Sequence, residues 1–391
     1  MPNARPPAPA TSEPASSETG DPLLLTPGPL TTSRSVKAVM LHDWGSRDAA
    51  FIRINAEMRT RITDAAGGAG THTTVPMQGS GTFAVESMIG TFVPRNGKLL
   101  ILVNGAYGKR AARICDYAGR THVVLETPED TPPDLGKLDA TLKSDASITH
   151  VLIVHCETTS GILNPVAEIA QMVKRHGRRL LVDSMSAFGA LPIDARAVAF
   201  DALASSSNKC LEGIPGFGFV VCNQAALEQA KGNAHALSLD LYDQWKALET
   251  TGQYRFTPPI HAIVALHKAI EEFVEEGGVA GRGQRYRDNC RALIDGMRAQ
   301  GFETLLPDRL QAPIIVTFHM PRDPKFHFQT FYDRLKDRGY VIYPGKLTVA
   351  DSFRIGCIGR LYPSHMAGAV EAVRAVIAEL GVTQCGARRA A

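Results

Sequence analysis

The stretch RRLLVDSMSAFGALPIDARAVAFDALASSSNKCLEG, residues 178–213, decides the fold. It contains two short apolar runs, and each run leads into a polar residue that can carry chemistry. Residues 180–182 are followed by Asp183, and residues 202–204 are followed by four small polar residues and then Lys209. Apolar runs of this length are consistent with buried strands. We therefore expect a carboxylate and an amine just beyond the ends of two buried strands.

Taken singly, each of these two residues has an ordinary structural explanation. An aspartate after a strand is usually a turn former or a helix cap, and a lysine is usually a solvated surface charge. The pair in this order, with hydroxyl residues before Lys209 and a glycine after it, favours another hypothesis. In pyridoxal phosphate enzymes a lysine binds the cofactor's aldehyde, and a carboxylate holds its pyridine nitrogen protonated so that the ring withdraws electrons.

Size and composition indicate an ordinary soluble globular protein. The chain has 391 residues, 44% hydrophobic and 21% charged, with a net charge of +3. That length predicts two domains, or one large and one small. The small net charge gives no reason to expect nucleic acid or a membrane as a partner, and no apolar run approaches the roughly 18 residues of a membrane span.

The seven cysteines are odd in number and include no CxxC pair, so neither a disulfide framework nor a zinc site is predicted. Residues 1–20 are rich in Pro, Ala, Ser and Thr and lack the features of a signal peptide. We interpret them as a disordered tail and expect a cytoplasmic protein. Gly277-Gly278 predicts a boundary between a large domain, residues 21–277, and a small C-terminal α+β domain, residues 278–383, followed by a tail, residues 384–391.

A glycine-rich turn precedes a segment with helical apolar spacing. The turn contains Ser80, Gly81 and Thr82, and apolar residues recur along residues 83–92. A turn that opens a helix exposes backbone N–H groups at the positive end of the helix dipole, which favours phosphate binding. Gly/Ser turns also begin ordinary helices, so both interpretations stay open at this point.

Strand and helix patterns alternate through the middle of the chain. We predict strands at residues 98–103, 122–125, 150–154, 218–222 and at the two runs of the opening stretch. This pattern predicts an α/β protein with a mainly parallel sheet covered on both faces. Ligands of such sheets bind at the carboxyl ends of the strands, where Tyr107, Thr158, Asp183 and Lys209 follow their strands. Arg354 interrupts an apolar strand at residues 352–357, so it either pairs with an acid or awaits an anionic ligand.

At these residues the chain resembles the class V branch of the fold-type-I pyridoxal phosphate enzymes. Within that branch it is most similar to the 2-aminoethylphosphonate–pyruvate transaminase family. The similarity spans about residues 23–382. The blocks that carry it are LLLTPGPLTTS, HDWGSRD, MQGSGTFAVES, NGAYGKR, HCETTSGILNP, LLVDSMSAFGA, SSSNKCLEGIPGFGF and SFRIGCIG.

The resemblance implies roles for the residues at the strand ends. Lys209 would join the cofactor covalently and transfer protons, and Asp183 would form an ion pair with its pyridine nitrogen. Tyr107 would stack on the ring, and Thr158 would hydrogen-bond near the ring's phenolic oxygen.

The resemblance also implies a phosphate site made by Ser80, Gly81 and Thr82 with Asn208. Thr257 would reach this site from the other subunit of a homodimer, because the active sites of such enzymes lie at the subunit interface.

The substrates implied are 2-aminoethylphosphonate and pyruvate, which would become phosphonoacetaldehyde and L-alanine in phosphonate catabolism. Arg354 would bind the acidic group of each. A phosphonate carries up to two charges, so a second cation near Arg354 would help. Arg47 is the candidate, although its loop is equally compatible with plain surface.

The sequence has three alternative interpretations. An alanine–glyoxylate or serine–pyruvate transaminase of the same branch would share the lysine, the aspartate and the arginine. A cysteine desulfurase needs a nucleophilic cysteine on a mobile loop, but residues 343–351 contain none and Cys357 lies inside a predicted strand. A non-catalytic binding protein is disfavoured by the intact Lys209 and Asp183.

Overall fold

The computed structural model describes residues 14–347 and 350–387. The strands are β1 (Leu23–Leu24), β2 (His72–Gln78), β3 (Lys98–Val103), β4 (Thr121–Glu126), β5 (Ile148–Val154), β6 (Cys156–Glu157), β7 (Ile162–Leu163), β8 (Arg179–Asp183), β9 (Ala202–Ser206), β10 (Phe217–Asn223), β11 (Ile315–His319), β12 (Tyr340–Val341), β13 (Tyr343–Pro344) and β14 (Ser352–Gly356). The helices are α1 (Arg34–Ala38), α2 (Ala49–Ala65), α3 (Gly81–Phe92), α4 (Ala106–Tyr117), α5 (Leu135–Ser144), α6 (Val166–Arg175), α7 (Gln224–Gln229), α8 (Leu241–Thr251), α9 (Ile260–Glu275), α10 (Gly278–Ala299), α11 (Phe328–Asp337) and α12 (Pro363–Leu380).

A seven-stranded sheet forms the centre of the larger part of the molecule. Its strand order is β2-β10-β9-β8-β5-β3-β4. The pairs from β9 through β8, β5 and β3 to β4 are parallel, and β10 is antiparallel to both of its neighbours. The prediction of an α/β fold with a mainly parallel sheet is confirmed. The sheet's edge strand β2 was not among the predicted strands, because threonines and a proline interrupt its apolar pattern.

Both faces of this sheet are buried. In β3, Leu100 and Leu102 belong to one hydrophobic core, and Leu99, Ile101 and Val103 belong to another on the opposite face. Successive side chains of a strand point to opposite faces, so an unbroken apolar run fits a strand that is covered on both sides. Full burial of such a side chain contributes about 1.5–3 kcal/mol.

The C-terminal part has a core of its own. A three-stranded sheet of order β11-β14-β13 packs with helices α10, α11 and α12, and Phe318 stacks on Phe353. Leu23 and Leu25 also pack into this core, and β1 pairs in parallel with β12. The N-terminal segment therefore contacts the C-terminal core. The predicted boundary at residues 277 and 278 falls between α9 and α10 and stays a prediction.

Part of the predicted N-terminal tail is ordered. The Ala15 N–H donates to the Arg338 carbonyl at 3.0 Å, and Glu18 forms an ion pair with Arg360 at 3.2 Å. The tail prediction is therefore corrected for residues 14–20, and residues 1–13 lie outside the described part. The prediction missed these contacts because their partners lie more than 300 residues away in the chain.

All seven cysteines are unpaired. Across the described residues, the helices include none with the length and apolar character that a bilayer crossing demands.

Candidate active site

The carboxyl ends of β8 and β9 bring the two residues of the opening stretch to one pocket. Asp183 is the last residue of β8, and Lys209 lies three residues beyond the end of β9. Seven of the predicted site residues line this pocket: Ser80, Gly81, Thr82, Tyr107, Asp183, Asn208 and Lys209. The predicted convergence at the strand ends is therefore present in the structure.

Asp183 is a buried carboxylate that makes no ion pair with any of the residues that the structure describes. It is 5% exposed, and its Oδ1 accepts a hydrogen bond from the Met185 N–H at 3.0 Å. Burial raises the pKa of Asp183 from 3.8 to about 6, and the nearby Glu157 charge adds to this effect. A buried carboxylate of this kind is stabilised by a cation placed against it. The protonated ring nitrogen of pyridoxal phosphate is such a cation.

The Lys209 amine is held by backbone carbonyls. Its Nζ donates to the oxygens of Pro27 and Gly28 at 3.0 and 3.2 Å. Burial lowers the pKa of Lys209, which favours the neutral, nucleophilic amine. A Cβ on Gly28 would lie 2.6 Å from Lys209 Cδ, and Gly28 has a φ of +113°. The Pro27-Gly28-Pro29 turn is therefore part of the site, whereas its sequence alone also fits a stiff linker.

The glycine-rich turn opens a helix at the pocket, as predicted. Ser80 is the N-cap of α3 and Gly81 begins the helix. A Cβ on Gly81 would collide with the end of the Met185 side chain, which would have to move aside. Arg110 Nη1 donates to Thr82 Oγ1 at 3.2 Å and lines the same pocket. The helix dipole and this guanidinium together favour an anion such as a phosphate.

Arg354 lies next to the pocket and is hydrogen-bonded to Thr158. Its side chain is buried, and its Nε and Nη1 donate to the carbonyls of Pro344 at 3.1 Å and Thr158 at 2.7 Å. Burial lowers its pKa. Within the described residues, no carboxylate lies within 4.0 Å of this guanidinium. Of the two predicted possibilities, the geometry favours a cation that awaits an anionic ligand.

Tyr107 connects the pocket to Arg354. Burial raises the pKa of Tyr107, but the hydrogen bond with the Thr158 side chain and the charges of Lys346 and Lys209 outweigh it, so the pKa falls below its ordinary value. Tyr107 is thus near enough to both Lys209 and Arg354 to interact with their charges. Thr158 interacts with both residues: its side chain with Tyr107, and its carbonyl with Arg354.

Glu157 is a buried residue of the site that the sequence interpretation missed. Its carboxylate accepts the N–H groups of Tyr107 at 3.2 Å and Thr159 at 3.0 Å. Burial raises its pKa. Because Tyr107 lies in the first turn of α4, these bonds fix the position of its ring against the pocket. The available signal was an acid three residues beyond the end of β5, in the segment HCETTSG.

Arg47 and Thr257 lie elsewhere in the chain. Both line a second pocket, with Ser46 and residues 253–258, and both are exposed. Thr257 was predicted to act on the other subunit, and this stays a prediction. Arg47 was predicted near Arg354, and a single chain does not bring these two arginines together.

Comparison with known proteins agrees with this geometry. The model of the family described as aminotransferase class-V matches residues 33–351. The chain therefore belongs to the class-V aminotransferases. It is 54% identical over 361 residues to the 2-aminoethylphosphonate–pyruvate transaminase of Pseudomonas putida, covering 92% of this chain and 98% of the relative. It is 52% identical over 363 residues to the enzyme of that name from Pseudomonas aeruginosa, with 93% and 98% covered.

Solved structures share the fold. An alanine–glyoxylate aminotransferase from Nostoc sp. matches with a TM-score of 0.85 at 24% identity, covering 94% of this chain and 97% of that one. A pyridoxamine–pyruvate aminotransferase from Mesorhizobium loti matches with a TM-score of 0.84 at 23% identity, with 94% and 95% covered. The architecture is therefore that of a fold-type-I class V aminotransferase.

Proposed function

We propose that this protein is a pyridoxal phosphate-dependent transaminase that converts 2-aminoethylphosphonate and pyruvate to phosphonoacetaldehyde and L-alanine, in phosphonate catabolism. The observation that carries the proposal is a pocket in which Asp183, Lys209 and the Ser80–Gly81–Thr82 turn meet, beside an arginine that pairs with no carboxylate of the described residues. The two Pseudomonas relatives support this choice of substrates.

The residues of the pocket fit the cofactor. Asp183 would stand against the pyridine nitrogen, and Tyr107 would stack on the ring. The backbone N–H groups and hydroxyls of Ser80 and Thr82 would hold the phosphate together with Asn208. When bound, the cofactor supplies an electron-withdrawing ring that makes protons on the amine-bearing carbon acidic.

Lys209 is suited to bind the cofactor's aldehyde and to move that proton. The carbonyls of Pro27 and Gly28 orient Nζ, and burial favours its neutral form. A neutral amine can accept a proton from the amine-bearing carbon of the donor in one half of the reaction. In the other half, the protonated amine can give a proton to the corresponding carbon of the keto acceptor. Removal of this amine should therefore abolish turnover.

Arg354 would bind the acidic group of both substrates. Its planar fork can grip a phosphonate in one half of the reaction and a carboxylate in the other by charge-assisted bonds. The two backbone carbonyls that hold Nε and Nη1 fix the direction of the remaining donors before either substrate arrives.

We infer that the active unit is a homodimer with shared sites. Arg47 and Thr257 are exposed and share one pocket, so a partner that receives Thr257 at its cofactor phosphate would receive Arg47 as well. The exposed Phe256 beside them adds apolar surface that an interface would cover. The cytoplasmic location is likewise proposed, in line with seven unpaired cysteines.

The alternative is an alanine–glyoxylate or serine–pyruvate type of transaminase, which the fold alone allows. Purified protein loaded with cofactor should be mixed with pyruvate and either 2-aminoethylphosphonate or L-serine, and the L-alanine formed should be measured. The proposal expects alanine from the phosphonate donor at a much higher rate. Faster turnover with L-serine, or with L-alanine and glyoxylate, would establish the alternative instead.

A further inference from the structure

A lysine outside the predicted set stands at the edge of the site. Lys346 follows β13 in the hairpin that leads to β14. In this hairpin Tyr343 is the register partner of Arg354, and the Gly345 N–H donates to the Ser352 carbonyl at 2.9 Å. This pairing brings the chain alongside β14, the strand that contains Arg354. Lys346 directly follows Gly345, the last residue of this pairing.

The Lys346 ammonium faces the pocket wall. Its Nζ lies 5.2 Å from the centroid of the Tyr107 ring, and Tyr107 lines the pocket that contains Lys209. Lys346 is close enough to Lys209 for its charge to help lower the pKa of that amine. Tyr107 also contacts Thr158, whose carbonyl accepts a hydrogen bond from Arg354. One aromatic ring thus has Lys346, Lys209 and the Arg354 region as neighbours.

The two cations at this edge form no direct ion pair within the described residues. The Lys346 side chain is exposed, and in the described ranges no carboxylate lies within 4.0 Å of its ammonium. The same holds for Arg354. Two cations that lack acidic partners and share a neighbour make an environment for an anion with more than one charge.

The single charge of Arg354 balances a carboxylate but not a doubly charged phosphonate. A guanidinium has five N–H donors, and Arg354 commits two of its nitrogens to backbone carbonyls. The remaining fork can hold two oxygens and balance one charge. A phosphonate has a third oxygen and up to a second charge, and a flexible lysine ammonium is a suitable point charge for them.

We propose that Lys346 binds the phosphonate of the amino donor together with Arg354 and so favours a phosphonate over a carboxylate at this position. The inference rests on the proposed function and names a specificity residue for it. Pyruvate and L-alanine present a single carboxylate, which Arg354 binds without Lys346.

The test compares two amino donors, each reacting with the cofactor-loaded form of the enzyme. The cofactor-loaded protein is mixed with 2-aminoethylphosphonate or with L-alanine, and the second-order rate constant of each single half-reaction is followed by the cofactor's absorbance. In Lys346→Gln the constant for the phosphonate should fall about tenfold or more, the size expected for one lost charge-assisted bond. The constant for L-alanine, which is affected only through the influence of Lys346 on Lys209, should change far less. Lys346→Arg should restore most of the loss.

Two further readouts separate charge from structure. The ratio of wild-type to Lys346→Gln constants for the phosphonate should rise with pH as the phosphonate loses its second proton, and the ratio for L-alanine should stay flat. Lys246→Gln is the matched control, because Lys246 also lies over an aromatic ring, 4.1 Å from the centroid of Trp245, and that ring, unlike the Tyr107 ring under Lys346, does not line the pocket. It should leave both constants unchanged.

Failure of the Lys346 inference can be distinguished from failure of the proposed function. If the wild-type protein fails to react with 2-aminoethylphosphonate, the proposed function is wrong. If the wild type reacts but Lys346→Gln changes neither donor, or slows both donors equally, Lys346 does not bind the phosphonate and the inference is overturned.

Discussion

Replacement of Asp183 by asparagine should make the cofactor-free protein more stable at neutral pH while destroying its activity. Burial raises the pKa of Asp183 from 3.8 to about 6, and each pKa unit corresponds to about 1.36 kcal/mol. The ionised carboxylate therefore costs the folded state about 3 kcal/mol. Asparagine keeps an oxygen that can accept the Met185 N–H bond but carries no charge.

The sign of the effect depends on pH. The folded protein binds the Asp183 proton more tightly than the unfolded chain, so this residue makes stability fall as pH rises from about 4 to about 6. Above pH 6 the cost is fully present, and below pH 4 it vanishes because both states are protonated. Asp183→Asn should therefore be more stable than wild type by up to about 3 kcal/mol at pH 8 and nearly equal to it at pH 4.

Urea unfolding of the cofactor-free proteins at both pH values measures this difference. Asp194→Asn is a useful control, because the Arg196 side chain lowers the pKa of Asp194 to about 2 and its loss should not stabilise the protein at pH 8. With cofactor bound, Asp183→Asn should lose both affinity for the cofactor and turnover, since the ring nitrogen loses its anion. A wild-type protein as stable as or more stable than Asp183→Asn at pH 8, without cofactor, would refute this reasoning.

Two more predictions concern the substrate and the partner subunit. Arg354→Ala should lower kcat/KM for both substrates, because loss of one charge-assisted pair costs about 2–4 kcal/mol, or about 30- to 700-fold; unchanged steady-state kinetics with both would remove Arg354 from the site. If the sites are shared between subunits, co-expression of a Lys209→Ala chain with an Arg47→Ala/Thr257→Ala chain should produce heterodimers with one intact site and recover activity that neither variant has alone. No recovery in heterodimers isolated with two different tags would place Arg47 and Thr257 outside the partner's site.

Much of the fold follows from local patterns. The strands predicted at residues 98–103 and 150–154 are observed as β3 (Lys98–Val103) and β5 (Ile148–Val154). These segments are strongly periodic or continuously apolar, so their own residues specify them. The parallel sheet then places Asp183 and Lys209 at the same edge, which is why their proximity could be predicted.

The remaining parts depend on contacts between distant segments. Nothing near Pro27 or Gly28 indicates that their carbonyls hold an amine 181 or 182 residues further along the chain. The buried position of Glu157 depends on the first turn of α4, about 50 residues earlier. The sequence alone predicts an ordinary surface lysine at Lys346, whereas in the structure the β13–β14 hairpin places it over Tyr107. Such residues become visible only when tertiary packing is known.

The central claim is that Lys209 holds the cofactor, and one measurement tests it directly. The cofactor-loaded protein is reduced with borohydride, which makes the bond between a lysine and the cofactor permanent, and the digested peptides are analysed by mass spectrometry. We predict one modified lysine, Lys209, because its amine lies in the pocket and burial favours its neutral form. Modification of another lysine in its place, such as Lys346, or of none, would contradict the account.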